Sequence, residues 1–238
     1  MARILAIIPA YNEEAHIAKV IIAVAQHVKD IVVVDDGSAD NTAKLAELAG
    51  AKTLKLSVNL GYGAALETGY RYAIQNHFDA VVQLDADGQH DPSSINDLLE
   101  MVLNNKADVA VGSRFLDKSN SYKPGVARIA GIKYLSWLIK LLTGENLTDP
   151  TSGYQALSSK ALHFILSADF PDDYPDADVL VCIKRAGLRI VEVPVLMKER
   201  EGGKSMHSGM MPLYYMFKMT LSMLLVLLRK TPKINILM

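Results

Sequence analysis

The sequence predicts an α/β fold: a mostly parallel central sheet with helices on both faces, plus a C-terminal amphipathic, largely apolar helix. Three observations carry this. Five short apolar runs alternate with helix-period segments over roughly the first 115 residues, the pattern of a sheet built from βαβ units. Acids and turn formers cluster directly after several of these runs, where the carboxyl ends of strands in open α/β sheets bind ligands. Half of the 238 residues are hydrophobic, enough to bury a sizeable core.

The elements follow in order. Arg3 to Pro9 is an apolar run closed by proline and reads as the first strand. Ala10-Tyr11-Asn12-Glu13-Glu14 comes next. Asn12 is expected to cap a helix reaching about Gln26, with Ile17, Val20, Ile21 and Val24 on its buried face. Asp30 to Val34 is a second strand, ending in Asp35-Asp36-Gly37-Ser38. A helix then runs to about Gly50, and Lys52 to Leu56 is a third strand. Asn59-Leu60-Gly61-Tyr62-Gly63 opens a helix through about Asn76. It lacks the third glycine of a dinucleotide fingerprint and the Lys-Ser/Thr of a P-loop, so neither is assigned.

Phe78 to Leu84 is a fourth strand leading into Asp85-Ala86-Asp87-Gly88-Gln89-His90-Asp91-Pro92. Two carboxylates one residue apart on a turn repel each other unless a cation neutralises them. Mg²⁺ or Mn²⁺ suits such a site, held by one or two carboxylates and completed by substrate phosphates. Pro92 starts a helix to about Asn104, and Ala107 to Val111 is a fifth strand ending in Gly112-Ser113-Arg114. Lys118 to Gly125 reads as a loop, and Ala127 to Leu142 as an amphipathic helix with Lys133, Ser136 and Lys140 on one face. Thr148-Asp149-Pro150-Thr151-Ser152-Gly153-Tyr154-Gln155 is a loop into a short strand. A helix over about Ala177 to Ala186 and a strand from Arg189 to Leu196 follow. Glu199 to Ser205 is a charged, glycine-containing loop suited to ordering on a ligand. Leu213 to Leu228 is apolar but short of the roughly 20 residues that span a bilayer. Lys218, Ser222 and Arg229 form one polar stripe on it, the signature of a helix lying in a membrane surface or docking a small membrane protein through 212–230.

Formal net charge is −1, which gives no drive towards nucleic acid. The single cysteine, Cys182, rules out an internal disulfide, and no zinc-type Cys/His spacing occurs; both fit a reducing cytoplasm. The strand-like start gives no sign of a signal peptide. Homo-oligomerisation is compatible with all of this.

Taken together, Pro9 to Glu14, Val34-Asp35-Asp36-Gly37-Ser38, Asp85 to His90, Gly112-Ser113-Arg114 and Arg200 to Ser205 resemble, in order, the motifs of family 2 glycosyltransferases. The resemblance covers about residues 3 to 206 and is to the dolichol-phosphate mannosyltransferase-like branch, which includes bacterial polyprenyl-phosphate glycosyltransferases. It implies the GT-A fold in a domain over 1–208, with a nucleotide-binding half to about 115 and an acceptor half beyond it. Residues 209–238 would be a membrane-interface or partner-docking helix and tail.

The resemblance also implies roles. Pro9, Tyr11 and Glu13 would line the base and ribose pocket, and Asp36 would bond the nucleobase. Asp85, Asp87 and Gln89 would hold the metal and diphosphate, and His90 would touch phosphate or order the loop. Arg114 and Arg128 would hold an acceptor phosphate, while Arg200 and Lys204 would close over the diphosphate. Three departures stand out, the first being that this sequence shows no pair of the long C-terminal membrane spans that many relatives carry. Gln155 sits where the branch often has arginine, and Pro175-Asp176-Ala177-Asp178 where it often has glutamate. The implied reaction is an inverting transfer from a UDP- or GDP-sugar to a polyprenyl phosphate at the cytoplasmic face of the membrane. A saccharide hydroxyl or a lipid-linked glycan is the alternative acceptor. A hydroxyl would need a general base, for which Asp149 is the candidate.

Overall fold

In a computed structural model of the chain, residues 2–117, 125–167, 177–198 and 211–228 are described. The strands are β1 (Ile4–Ala10), β2 (Asp30–Asp35), β3 (Lys52–Lys55), β4 (Ala80–Gln83), β5 (Val109–Ser113), β6 (Gln155–Ser158) and β7 (Ile190–Pro194). They form one sheet in the order β3-β2-β1-β4-β6-β5-β7. Only β6 runs against its neighbours, β4 and β5; the other pairings are parallel. The helices are α1 (Ile17–Val24), α2 (Thr42–Leu48), α3 (Tyr62–Gln75), α4 (Ile95–Leu103), α5 (Val126–Thr143), α6 (Ser159–Ser167), α7 (Ala177–Arg185) and α8 (Met211–Leu228).

Alternation along the strands divides the core between the two faces. Leu5, Ile7, Val32, Val34, Val81 and Val109 pack under α3, α5, α6 and α7, joined by Met219 and Met223 of α8. Ala6, Ile8, Val33, Val82 and Ala110 pack under α1, α2 and α4. The chain winds outward from β1 to β2 and β3, then returns to lay β4 on the other side of β1. That reversal makes a crevice at the carboxyl ends of β2, β1 and β4.

The five expected N-terminal strands and the sheet's mostly parallel character are borne out, and the antiparallel β6 is an addition from the structure. Several local expectations are corrected. Asn12 does not cap α1, which begins at Ile17. Its backbone takes φ 53°, its N–H donates to Ser38 Oγ, and its side-chain oxygen accepts from Ala39 N–H. It therefore joins two loops instead of starting a helix. Pro92 opens a short 3-10 turn, Pro92–Ser94, and α4 starts only at Ile95. Helix α6 was not anticipated; its nine residues bury Ala161, Leu162, Phe164 and Ile165.

Helix α8 departs most. One member of its expected polar stripe, Ser222, is turned towards α7. Ser222 Oγ donates to the buried Asp178 of α7 at 2.5 Å, and Arg185 of α7 donates to the Val226 carbonyl. A hydroxyl facing a buried carboxylate satisfies both groups, so Ser222 serves the α7–α8 contact. Arg229, with Pro175 and Asp176 and residues 118–124, lies outside the described residues.

Candidate active site

Two loops at the crevice are stitched together by their own side chains. The Glu13 N–H donates to Thr42 Oγ1, the Glu14 N–H to Asp40, and Asn41 to the Glu14 carboxylate. Tyr11 is left about half exposed beside them, at 48%. Buried Asp35 accepts from the Ser38 N–H through one oxygen, while its Oδ2 has no hydrogen bond and lies 3.9 Å from Lys55 Nζ. Asp36 accepts from the backbone N–H groups of Leu60 and Gly61 at 2.7 and 2.9 Å, at the start of α3. Gly37 sits at φ +71°, and a Cβ there would lie 2.6 Å from the Val58 backbone. The Asp-Asp-Gly-Ser motif is thus also a clamp on residues 58–61. A carboxylate has about four lone-pair sites, so the two N–H contacts do not exhaust Asp36.

The acidic turn after β4 is ordered by a second set of contacts. Tyr62 donates to Asp85 Oδ1 at 3.0 Å, and Asp87 accepts from the Gln89 N–H at 3.0 Å. His90 is buried and accepts the Asp85 N–H on Nδ1 at 3.0 Å. Its proton therefore sits on Nε2, 3.8 Å from Asp85 Oδ2. Burial holds its pKa below the ordinary value, against the opposing pull of the Asp85 and Asp87 charges. The ring also stacks on Tyr154 at 4.8 Å. Of the two roles open for His90, ordering the loop is the one these contacts serve.

The turn is bonded on its far side to the chain approaching the basic loop. Lys198 N–H donates to the Gln89 carbonyl at 2.8 Å, and Asp91 N–H to the Leu196 carbonyl at 3.3 Å. Lys198 Nζ lies 3.1 Å from Asp91, lowering its carboxyl pKa alongside the stronger contacts from Ser93, although burial opposes this. Arg200 and Lys204 themselves lie outside the described residues.

Among the described residues, no group of three or more His, Cys, Asp or Glu side chains could enclose a metal ion. Asp85 has a side chain 38% exposed. An all-oxygen, open-sided donor set of this kind fits a hard divalent cation that completes its shell with substrate phosphates and water.

At the other end of the crevice, Arg114 is 5% exposed and forks onto Asp149, which is fully buried, with Nη2 also reaching Thr151 at 3.0 Å. Glu192 of β7 accepts from the N–H groups of Thr148 and Asp149 at 2.8 Å. Arg128, in the first turn of α5, is exposed. The structure thus brings Arg114 to Asp149 rather than presenting both arginines alike. Gln155 is buried and donates to the Ser152 carbonyl at 2.8 Å, closing the loop on itself.

Sequence reasoning missed two residues here. The sequence pattern marks Tyr62 only as a helix opener and Gly153 only as part of a loop. A Cβ on Gly153 would lie 2.8 Å from the Tyr62 hydroxyl and 3.3 Å from Asp85 Oδ1. The glycine is what lets the 148–155 loop approach the acidic turn. Its place in a polar loop just before a strand was the available signal.

The family model described as Glycosyl transferase family 2 matches residues 5–165. The chain is 34% identical over 220 residues to an undecaprenyl-phosphate mannosyltransferase from Micrococcus luteus, spanning 87% of this chain and 88% of that protein. It is 33% identical over 208 residues to a UDP-N-acetylglucosamine–dolichyl-phosphate N-acetylglucosaminyltransferase from Methanococcus voltae, spanning 79% of this chain and 83% of that one. Among solved structures it resembles Mycobacterium tuberculosis glucosyl-3-phosphoglycerate synthase in complex with Mn²⁺, UDP and glucosyl-3-phosphoglycerate. The TM-score is 0.69 at 24% identity, covering 95% of this chain and 79% of that one. That likeness is one of fold.

Proposed function

Given that the chain belongs to glycosyl transferase family 2, we propose that it moves a sugar from a UDP- or GDP-sugar to a polyprenyl phosphate, with inversion and with Mg²⁺ or Mn²⁺ bound. The observation that carries this reading is the row of Tyr11–Glu13, Asp36 and Asp85–Asp87 at the ends of the adjacent strands β1, β2 and β4. Such a row suits a nucleoside diphosphate laid across the switch point, base towards β2 and diphosphate towards β4.

Within that reading, Pro9, Tyr11 and Glu13 line the base and ribose pocket, and Asp36 bonds the base. Asp85, Asp87 and Gln89 hold the cation, which when bound neutralises charge on the leaving diphosphate. Arg200 and Lys204 are assigned to that same diphosphate. Lys198, two residues before Arg200, is bonded beside Gln89, which supports the assignment. The nucleotide half is residues 1 to about 115 and the acceptor half runs to about 208.

The acceptor follows from Asp149. A saccharide hydroxyl needs a base, but Asp149 is fully buried, and its two oxygens already accept from the Arg114 backbone N–H, Nε and Nη2 and from the Thr151 hydroxyl. A lipid phosphate is already anionic at neutral pH and needs none. The M. luteus and M. voltae relatives are named for lipid-phosphate acceptors. Arg128, exposed in the first turn of α5, is assigned to the acceptor phosphate, and Arg114 with Asp149 positions the loops around it. The reaction then takes place at a membrane surface, on the cytoplasmic side that the lone cysteine also fits.

The test is a panel of nucleotide sugars incubated with Mg²⁺ or Mn²⁺ and undecaprenyl phosphate, read for a glycolipid. A product from one donor, lost in EDTA and in Asp87→Ala, is expected. Transfer only to free saccharides would overturn the acceptor, and full activity in EDTA would overturn the metal.

A further inference from the structure

We propose that the joint outer face of α5 and α8 is a docking surface for an anionic lipid bilayer. The choice of lipid rests in part on the polyprenyl-phosphate reading above. Six large apolar side chains define the face. Trp137 and Leu141 on α5 are 57% and 65% exposed. On α8, Phe217, Leu221, Leu225 and Leu228 are 69%, 45%, 44% and 83% exposed.

These residues form one surface. Trp137 and Leu141 are four apart, as are Phe217, Leu221 and Leu225, so each set stacks along one side of its helix. The two helices touch: the Tyr134 and Thr220 hydroxyls are 3.3 Å apart, and a Cβ on Gly131 would lie 3.3 Å from Met216 Sδ. Met219 and Met223 anchor the opposite side of α8 in the core.

The face is apolar by construction. A soluble surface helix turns its polar residues to water. In α8, Ser222 is bonded to Asp178, and Thr220 to the Met216 carbonyl. The outward side is left to leucine and phenylalanine. Isolated exposed apolar residues are ordinary, but a contiguous patch over two helices marks an interaction site.

Charge chooses the occupant. Neither α5 nor α8 contains an acid, while α5 carries Arg128, Lys133 and Lys140, and α8 carries Lys218. Lys133 and Lys140 are exposed and two turns apart, lining one edge of the Trp137–Leu141 stripe. In sequence, Arg229 and Lys230 follow α8 directly. The chain as a whole has a net charge of −1, so this cationic, acid-free face is local. Aromatic and leucine side chains bordered by lysines suit the headgroup boundary of an anionic membrane. A second copy would instead set the same lysines against one another. Among the described residues no helix is long and apolar enough to cross a membrane. At 18 residues, about 27 Å, α8 would lie in the membrane plane.

Trp137 is the single tryptophan, so the face carries its own reporter. The full chain is titrated with phosphatidylglycerol–phosphatidylcholine vesicles that contain no polyprenyl phosphate and no nucleotide. A blue shift of the emission and co-sedimentation are expected, weaker with pure phosphatidylcholine and at high salt. Phe217→Glu with Leu221→Glu should weaken vesicle binding by roughly tenfold or more. The same pair should leave circular dichroism and transfer to a short-chain, water-soluble acceptor phosphate unchanged. Lys133→Glu with Lys140→Glu should abolish the preference for anionic vesicles. No shift at saturating anionic lipid overturns the proposal. So does a shift caused by protein concentration alone with a dimer mass in sedimentation, which would assign the face to a second copy. Vesicle binding without glycolipid formation by any donor would leave the docking face standing and sink the acceptor assignment. Glycolipid formation without vesicle binding would do the reverse.

Discussion

Arg114 and Asp149 meet fork to fork inside the protein, Nε on Oδ2 and Nη2 on Oδ1 at 2.5 Å each, with side chains 4% and 0% exposed. The pair ties the end of β5 to the loop that enters β6. Removing one partner strands a buried charge, which costs about 3–5 kcal/mol. Arg114→Ala and Asp149→Leu should each lower the unfolding free energy measured by urea denaturation by that much. Arg114→Met with Asp149→Leu should recover most of it, because a matched apolar pair leaves no charge buried. If Asp149→Asn kept wild-type stability yet lost its pH-dependent turnover, the positioning role would be wrong and the general-base role would return.

Gly153 makes a sharper test of how the acidic turn is held. A methyl group there enters the space of the Tyr62 hydroxyl at 2.8 Å and crowds Asp85. Misplacing a positioning group by about 1 Å can cost about 10²-fold in rate. Gly153→Ala should therefore lose activity on that order, with little change in melting temperature. Adding Tyr62→Phe removes the crowded hydroxyl and should regain part of the loss, although Tyr62→Phe alone loses the bond to Asp85. Steady-state kinetics on the three variants decides it; wild-type turnover in Gly153→Ala would remove Gly153 from the account.

These two contacts also mark where the sequence stopped being informative. Strands β1 to β5 and the turns at Asp36 and Asp85 were legible because short apolar runs and turn chemistry are local signals. The Arg114–Asp149 pair spans 35 positions, and no local pattern encodes which arginine a carboxylate will meet. The same holds for Gly153, whose meaning depends on a tyrosine at the start of α3. On α8, helical spacing placed Ser222 in a polar stripe but could not say that it faced a neighbouring helix. Asp178, on a different helix, decided that. Helix α6 went unread because its short apolar segment follows β6 at once, and periodicity alone does not separate a brief buried helix from a strand continuing.

Glu192 gives a pH dependence with a definite sign. Burial, with a smaller push from the Asp149 charge, raises its pKa above the ordinary 4.5, outweighing the bonds it accepts from Thr148 and Asp149. The folded protein therefore holds this proton to higher pH than the unfolded chain. Between the two pKa values the native state binds more protons, so stability falls as pH rises. The contribution is full below about 4.5 and is lost as pH climbs through the raised folded value. Asp108 runs the other way: its bonds from Arg189 and the nearby Lys160 outweigh burial and lower its pKa. Its stabilisation is present above 3.8 and lost as pH falls through the lower folded value. Denaturation of wild type and Glu192→Gln across pH 4 to 7 should show the wild type losing ground to the variant as pH rises. Parallel curves would mean that Glu192 titrates alike in both states.

The two arginines assigned to the acceptor side should separate cleanly. Arg128 is exposed in the first turn of α5, while Arg114 is buried on Asp149. An exposed cation that meets a phosphate contributes mainly when that phosphate arrives. Arg128→Ala should thus raise KM for the polyprenyl phosphate by about tenfold or more, for one charge-assisted contact of roughly 1.5–3 kcal/mol. It should leave the melting temperature and the binding of the nucleotide unchanged. Arg128→Lys keeps the charge but loses the fork, and should fall between the two. Arg114→Ala should instead lower stability first, with activity falling in step with the folded fraction. Matching losses of stability in both variants would mean that Arg128 is a structural residue, and the acceptor phosphate would need another partner.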